Sequence, residues 1–345
     1  MIFSHKILLW YMKNKRTLPW RQTKDPYKVW LSEIILQQTR VAQGLPYYLK
    51  FIARFPTVDD LANAAEEQVL KLWQGLGYYS RARNLHATAK MVVDDYGGEF
   101  PKTYQGLLKL RGVGDYTASA IASISYNIPE PVVDGNVYRV LSRFYGVELA
   151  INSIQGIRYF KQLAREVMDS ENIRDYNQAI MEFGAMQCVP KNPDCEACPL
   201  NDACIARQKN KVDELPIKIS KAKIRNRYFN YLVVIDPNDK TLLQQRKGKG
   251  IWQNLWEFPL LETKEHIGKV ELERRYKEEL DIKGNHEFYQ FNEKDIVHKL
   301  SHQHLHTRFW IVKTDMPLKN GIAFRTLPDF PVPVLIADFI NTFKI

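Results

Sequence analysis

Cys188, Cys195, Cys198 and Cys204 are the only thiols in the 345-residue chain, and gaps of six, two and five residues separate them. Four thiolates in one short hook suit a soft-metal centre, either an iron–sulfur cluster or a closed tetrahedral zinc site. Disulfide pairing is the third reading. It belongs with secreted proteins, and the rest of the sequence carries no secretory sign.

Three further stretches hold residues able to do chemistry. Leu110-Arg111-Gly112-Val113-Gly114 lies between helical segments, with Asp115-Tyr116-Thr117-Ala118 opening the second. Two glycines let the backbone turn so that amide N–H groups face outward at a helix N-terminus, a nest for a phosphate oxygen. Taken alone, such a turn is also an ordinary helix–helix connection. Asp134, in Val132-Val133-Asp134-Gly135-Asn136-Val137-Tyr138-Arg139, reads locally as a helix N-cap. Glu33 is an acid in the largely apolar Trp30-Leu31-Ser32-Glu33-Ile34-Ile35-Leu36-Gln37-Gln38-Thr39. If buried it has a raised pKa, which suits a general acid near neutral pH. An exposed helix glutamate is the plain alternative.

The spacing C-x6-C-x2-C-x5-C resembles the 4Fe–4S hook of the endonuclease III family of DNA glycosylases, and the Gly112–Gly114 turn resembles their helix-hairpin-helix. The stretches Trp30 to Thr39 and Gly75-Leu76-Gly77-Tyr78-Tyr79-Ser80-Arg81-Ala82-Arg83-Asn84, with Tyr116, narrow the likeness to the MutY-type adenine DNA glycosylases. It covers nearly all of the first domain and, more weakly, the second. The resemblance implies a base excision repair enzyme that flips adenine out of an A:8-oxoguanine or A:G mispair in duplex DNA and hydrolyses its N-glycosidic bond. It also implies one 4Fe–4S cluster on the four cysteines, acting as a DNA-contact scaffold.

By the same resemblance, Glu33 protonates adenine N7 while Asp134 stabilises the cationic sugar, electrostatically or through a transient covalent adduct. Asn136 and Tyr116 support that carboxylate and position water. In bifunctional relatives a lysine stands at Tyr116's site and forms a Schiff base; a phenol cannot, so the enzyme is expected to be monofunctional. Trp20 and Arg21 match positions lining the adenine pocket. Gln178 and Glu182, one helical turn apart, are candidates for reading the base edge, against the plain reading of surface polar residues. Gln38 and Tyr78 match residues that enter the duplex and fill the gap left by the flipped base. Arg81, Arg83 and Lys191 are expected to join Gly112 and Gly114 as phosphate partners.

These residues need elements to hold them. Val29 to Gln43, Asp60 to Trp73 and Ala82 to Asp95 show apolar positions three and four apart, as helices do, with breaks at Gly75-Leu76-Gly77 and Gly97-Gly98. The expected architecture is an all-α helix-hairpin-helix domain with its hook over residues 1–208, a linker over 209–227, and an α+β domain over 228–345. In the last, Tyr228 to Asp236 and Leu242 to Gln245 read as two strands joined by a turn, Arg308 to Lys313 as another strand, and Val270 to Leu280 and Val334 to Phe343 as helices.

The C-terminal domain resembles Nudix hydrolases through Gly250-Ile251-Trp252-Gln253-Asn254-Leu255-Trp256-Glu257-Phe258-Pro259. The Nudix box itself is broken: Arg275 stands where it wants glutamate and Asp281 where it wants glycine, so no pyrophosphohydrolase activity is expected. Because adenine is an undamaged base, selectivity requires a second reader on the opposite strand. The resemblance assigns that role to Ser301 and His302, in Leu300-Ser301-His302, where the family has Phe-Ser-His.

Lysine and arginine number 49 against 39 acids, a net charge of +10, which suits a nucleic-acid partner. No apolar run reaches the ~20 residues a membrane span requires. Cysteine-held metal suits a reducing compartment, and with the resemblance above the chain is expected to be a cytoplasmic, nucleoid-associated bacterial monomer with no membrane partner. A bifunctional endonuclease III-like enzyme is disfavoured by Tyr116 and the large second domain. A non-catalytic mismatch binder is disfavoured by the presence of both acids, and a Nudix hydrolase by the broken box.

Overall fold

The computed structural model describes residues 2–219, 224–279 and 284–343. The chain divides into two compact units, Met1–Ala64 with Asn84–Ser220, and Ala65–Arg83 with Lys221–Ile345. The division departs from a single cut at 208–227 because residues 65–83 bond to C-terminal residues. Lys71 Nζ donates to the Phe330 carbonyl at 3.2 Å, Trp256 Nε1 to Glu67 at 2.9 Å, and Arg83 Nη1 to the Gln253 carbonyl at 2.9 Å. Of the expected linker, Arg225 and the residues after it already belong to a strand.

The first unit is helical. At its centre runs Asp115–Tyr126, buried all the way from Thr117 to Ile124. Small residues at Ala118, Ser119, Ala120, Ala122 and Ser123 let Pro26–Leu36 and Ile173–Met186 both pack against it. Ile173–Met186 in turn packs on Ile2–Asn14 and Gly135–Tyr145. The Val29 to Gln43 segment is two helices, Pro26–Leu36 and Val41–Arg54. The break falls at Gln38, whose φ of 55° no α-helix accepts. The Asp60 to Trp73 segment also splits, into Val58–Asn63 and Glu66–Leu72, because Ala64 and Ala65 between them are extended. The Ala82 to Asp95 segment lies inside one helix, Ser80–Tyr96.

The second unit is built on a five-stranded sheet. Arg225–Ile235 runs parallel to Gln303–Thr314 and antiparallel to Leu260–Thr263; His286–Gln290 and Ile296–Lys299 both pair with Gln303–Thr314. The expected hairpin between residues 228–236 and 242–245 does not pair. Both edges of Arg225–Ile235 are already taken, so Gln244–Gln245 pairs with Trp256–Glu257 instead. Residues 231–235 and 309–312 of the two central strands read as continuous apolar runs because both faces are covered there. Leu232, Val234, Trp310 and Val312 pack with Leu272 and Tyr276 of helix Lys269–Glu279. On the other face Tyr231 stacks on Phe309, and Phe309 on Phe339 of helix Val334–Thr342 at 4.2 Å. Leu280 and Asp281, part of the degenerate Nudix box, lie outside the described residues.

Candidate active site

Four helices of the first unit converge on a cavity of about 180 Å³. Pro26–Leu36 carries Glu33, Asp115–Tyr126 carries Tyr116 in its first turn, Asp134 caps Gly135–Tyr145, and Ile173–Met186 supplies Gln178, Met181 and Glu182. Trp20, Arg21 and Asn136 complete the wall. Residues more than a hundred positions apart thus meet in one pocket.

The two carboxylates sit in opposed environments. Glu33 is 8% exposed, and burial pushes its carboxyl up to about 7, against the pull of a hydrogen bond that Tyr116 Oη donates to its Oε2 at 2.6 Å. Asp134 Oδ1 accepts from the backbone N–H groups of Asn136 and Val137, each at 2.8 Å, while Asn136 Nδ2 donates to Oδ2 at 2.7 Å. Desolvation raises this carboxyl too, but three donors and the start of a helix favour its ionised form. In a pair arranged this way the proton is held more readily by Glu33 and the negative charge by Asp134. Local N-capping and pocket chemistry are here the same atoms. Tyr116, expected beside Asp134, instead bonds to Glu33, because its hydroxyl reaches across to the neighbouring helix.

Glu182 is inside the pocket but does not present free oxygens. Arg16 Nε and Arg21 Nη1 donate to Oε1 at 2.8 and 2.9 Å, and Arg16 Nη2 and Arg21 Nη2 to Oε2 at 2.6 and 2.7 Å. Two guanidiniums hold its carboxyl down at about 2. It orients Arg21, while Gln178 lines the same pocket with its Nε2 making only a long 3.5 Å bond to the Arg174 carbonyl.

Arg16, Met181 and Gly184 were not singled out in the sequence. Arg16 lies in a basic flank with no local sign that its partner is 166 residues away. Gly184 backs Asn136: a Cβ there would meet Asn136 Cβ at 2.7 Å and its backbone oxygen at 2.9 Å. Gly184→Ala is expected to push Asn136 off Asp134 and lower the rate of the chemical step at least about tenfold, with a stability cost of ~1–3 kcal/mol. Single-turnover kinetics beside a thermal melt check it; an unchanged rate removes Asn136 from the account.

Among the described residues, eight non-glycines have positive φ. Five are Asn or Asp, which tolerate it; the others are Gln38, Tyr78 and Trp252. Holding such residues left-handed costs about 1–3 kcal/mol each, strain of the kind that clusters at functional sites. Gln38 is exposed and Tyr78 is 47% exposed. Arg81 differs from expectation. It is buried, its guanidinium 5.1 Å from the Trp73 ring centroid and bonded to the Gly77 carbonyl at 3.2 Å, so it braces the Tyr78 loop. Lys191 is exposed on the hook. Gly112 has φ of 74° and Gly114 caps Asp115–Tyr126, as the helix-hairpin-helix turn requires.

The second unit has its own cavity, of about 600 Å³, walled by Tyr78, Arg83, Trp252, Lys299, Ser301 and His302. Ser301 Oγ and His302 Nδ1 lie 3.2 Å apart in it.

Around Cys188, Cys195, Cys198 and Cys204 lies a small cavity of about 30 Å³, into which Arg143 also reaches. Arg143 Nη1 stands 3.5 Å from Cys188 Sγ and donates to the Val189 carbonyl at 2.7 Å, fixing the first turn of the hook. Four thiolate donors around one cavity, with Arg143 beside Cys188, fit an iron–sulfur cluster.

Known proteins resemble the chain in the same places. The profile described as HhH-GPD superfamily base excision DNA repair protein matches residues 31–165, that of the iron-sulfur binding domain of endonuclease III matches 188–204, and that of the NUDIX domain matches 230–342. The adenine DNA glycosylase of Buchnera aphidicola subsp. Schizaphis graminum (strain Sg) is 38% identical over 306 residues, covering 88% of this chain and 86% of that protein. The Homo sapiens adenine DNA glycosylase is 43% identical over 222 residues, 62% of this chain and 41% of that one. A solved thermostable thymine-DNA glycosylase superposes with a TM-score of 0.56 at 30% identity, over 60% of this chain and 96% of its own.

Proposed function

Since the chain belongs to the adenine DNA glycosylases of the HhH-GPD base excision repair superfamily, we propose that it acts on adenine opposite 8-oxoguanine or guanine, flipping the base into the Glu33–Asp134 pocket. The observation that carries this reading is the meeting of two carboxylates in one pocket, Glu33 buried and bonded by Tyr116, Asp134 held by three N–H donors. Extruded adenine meets Glu33, which donates its proton to N7 and makes the base a neutral leaving group. Positive charge then grows on the sugar, and Asp134, fixed by Asn136 and two backbone amides, is already oriented to receive it. Tyr116 keeps Glu33 in place and offers no amine for a Schiff base. The enzyme is a monofunctional glycosylase: it releases the base and leaves the strand uncut.

Gln38 and Tyr78, both left-handed at exposed tips, would enter the stack that adenine vacates. Gly112, Gly114, Arg83 and Lys191 would hold phosphates, and Trp20, Arg21 and Gln178 the base. We further assign the four cysteines to one 4Fe–4S cluster; it supplies rigidity to the hook that presents Lys191, and hydrolysis of the glycosidic bond draws no electron from it. The protein would work as a cytoplasmic, nucleoid-associated monomer, with a helical catalytic domain and a C-terminal reader.

Ser301 and His302 are proposed as that reader, sensing the oxidised purine in the second unit's cavity. Changing both to alanine should cut the preference for A:8-oxoguanine over A:G about tenfold or more, the worth of one or two hydrogen bonds. Turnover of A:G should hold within about threefold. Single-turnover rates on the two duplexes decide it: a preference equal to wild type would remove these residues from lesion recognition.

A further inference from the structure

His266, Asp295 and His306 come from three segments: the loop after Leu260–Thr263, the turn before Ile296–Lys299, and the strand Gln303–Thr314. Their ligand atoms all lie within 4.8 Å of one another. His266 Nδ1 is 3.1 Å and His306 Nδ1 3.5 Å from the same oxygen, Asp295 Oδ2. The other oxygen, Oδ1, accepts from Arg308 Nε at 2.8 Å, which fixes the plane of the carboxylate and leaves Oδ2 turned to both imidazoles. Tyr228 stacks on the His306 ring and meets His266 edge-on, so both rings are held. Of the period-two histidines 298, 302, 304 and 306, only His306 joins the trio. The acid and the second histidine come from other segments.

The ring nitrogens add a second observation. His306 Nε2 lies 3.4 Å from Asn226 Oδ1, an oxygen that only accepts, which leaves Nδ1 as the nitrogen facing Asp295 Oδ2. A remote-nitrogen N–H given to an amide oxygen is the outer support that metal-bound histidine ordinarily has. Two imidazoles and one carboxylate oxygen suit a borderline divalent ion such as Zn²⁺. His266 is 49% exposed, so water can reach the remaining coordination positions.

We propose that His266, Asp295 and His306 bind one divalent transition-metal ion of the Zn²⁺ class. Val297 is the strand partner of His306, and Leu300-Ser301-His302 closes the same hairpin. The ion would therefore clamp the stem of the loop bearing Ser301 and His302. Arg308 keeps one positive charge beside the site, so binding is weaker than at a four-thiolate centre.

The test uses the full, cluster-loaded protein, dialysed against Zn²⁺ with a competing chelator and analysed for zinc and iron. Wild type should retain one zinc per chain. His266→Gln, at a solvent-facing loop, and Asp295→Asn, near-isosteric, should each weaken uptake at least about tenfold with iron content unchanged. No zinc on wild type would overturn the proposal, as would equal uptake by both variants. Imidazole NMR signals that move with pH but ignore Zn²⁺ would reduce the trio to an ion pair and overturn it likewise.

Discussion

Asp134→Asn is expected to lower adenine release by at least about a thousandfold while leaving the helical unit folded. The loss is large because Asp134 is the carboxylate proposed to face the developing sugar cation, while the charge of Glu182 in the same pocket is already paired with two guanidiniums. The fold should survive because asparagine caps helices about as well as aspartate. Its Oδ1 can still accept from the amides of residues 136 and 137, now held by Asp134 at 2.8 Å. What it cannot keep is the bond from Asn136 Nδ2, since two amide NH₂ groups would then face each other. Duplex binding should change little. A variant that turns over at the wild-type rate would move the charge-stabilising role elsewhere.

Glu33→Gln separates catalysis from stability. Loss of the general acid should slow base release by about 10²–10⁴. The fold should become more stable, and only at higher pH. Below about 4.5, the ordinary value, folded and unfolded chains both hold the Glu33 proton. Between 4.5 and about 7 the unfolded chain gives it up while the buried side chain keeps it, so stability falls as pH rises. Above 7 the cost is complete, on the order of 3 kcal/mol. Glutamine carries no such cost, and its amide oxygen can still accept from Tyr116. Melting curves at pH 4.5 and 8 should coincide for the two proteins at the first and diverge at the second. Equal curves at pH 8 would mean Glu33 is not held protonated.

The geometry of the site was legible where it is local. The cysteine spacing, the Gly112–Gly114 turn and the N-cap at Asp134 are each written in a few consecutive residues, and the structure builds them as such. Glu33 in its apolar helix was also readable, since burial alone raises a carboxyl. What sequence order hides is pairing across distance. Nothing near Glu182 announces that Arg16 and Arg21 consume both its oxygens, and nothing near Gly184 that it must leave room for Asn136. Helix breaks set by backbone handedness were missed for a similar reason: Gln38 is a good helix former whose φ is dictated by the turn it occupies. Arg81 looked like a phosphate ligand because charge usually means surface, yet Trp73 and the Gly77 carbonyl hold it inside. The C-terminal sheet was readable as α+β, but its parallel pairing of residues 225–235 with 303–314 joins strands nearly seventy residues apart.

The most direct measurement is single-turnover release of adenine from short duplexes that place it opposite 8-oxoguanine, guanine or thymine, analysed before and after alkali. The account predicts fast release opposite 8-oxoguanine, slower release opposite guanine and none opposite thymine, with strand breaks only after alkali. Equal release from all three duplexes, or breaks without alkali, would contradict it.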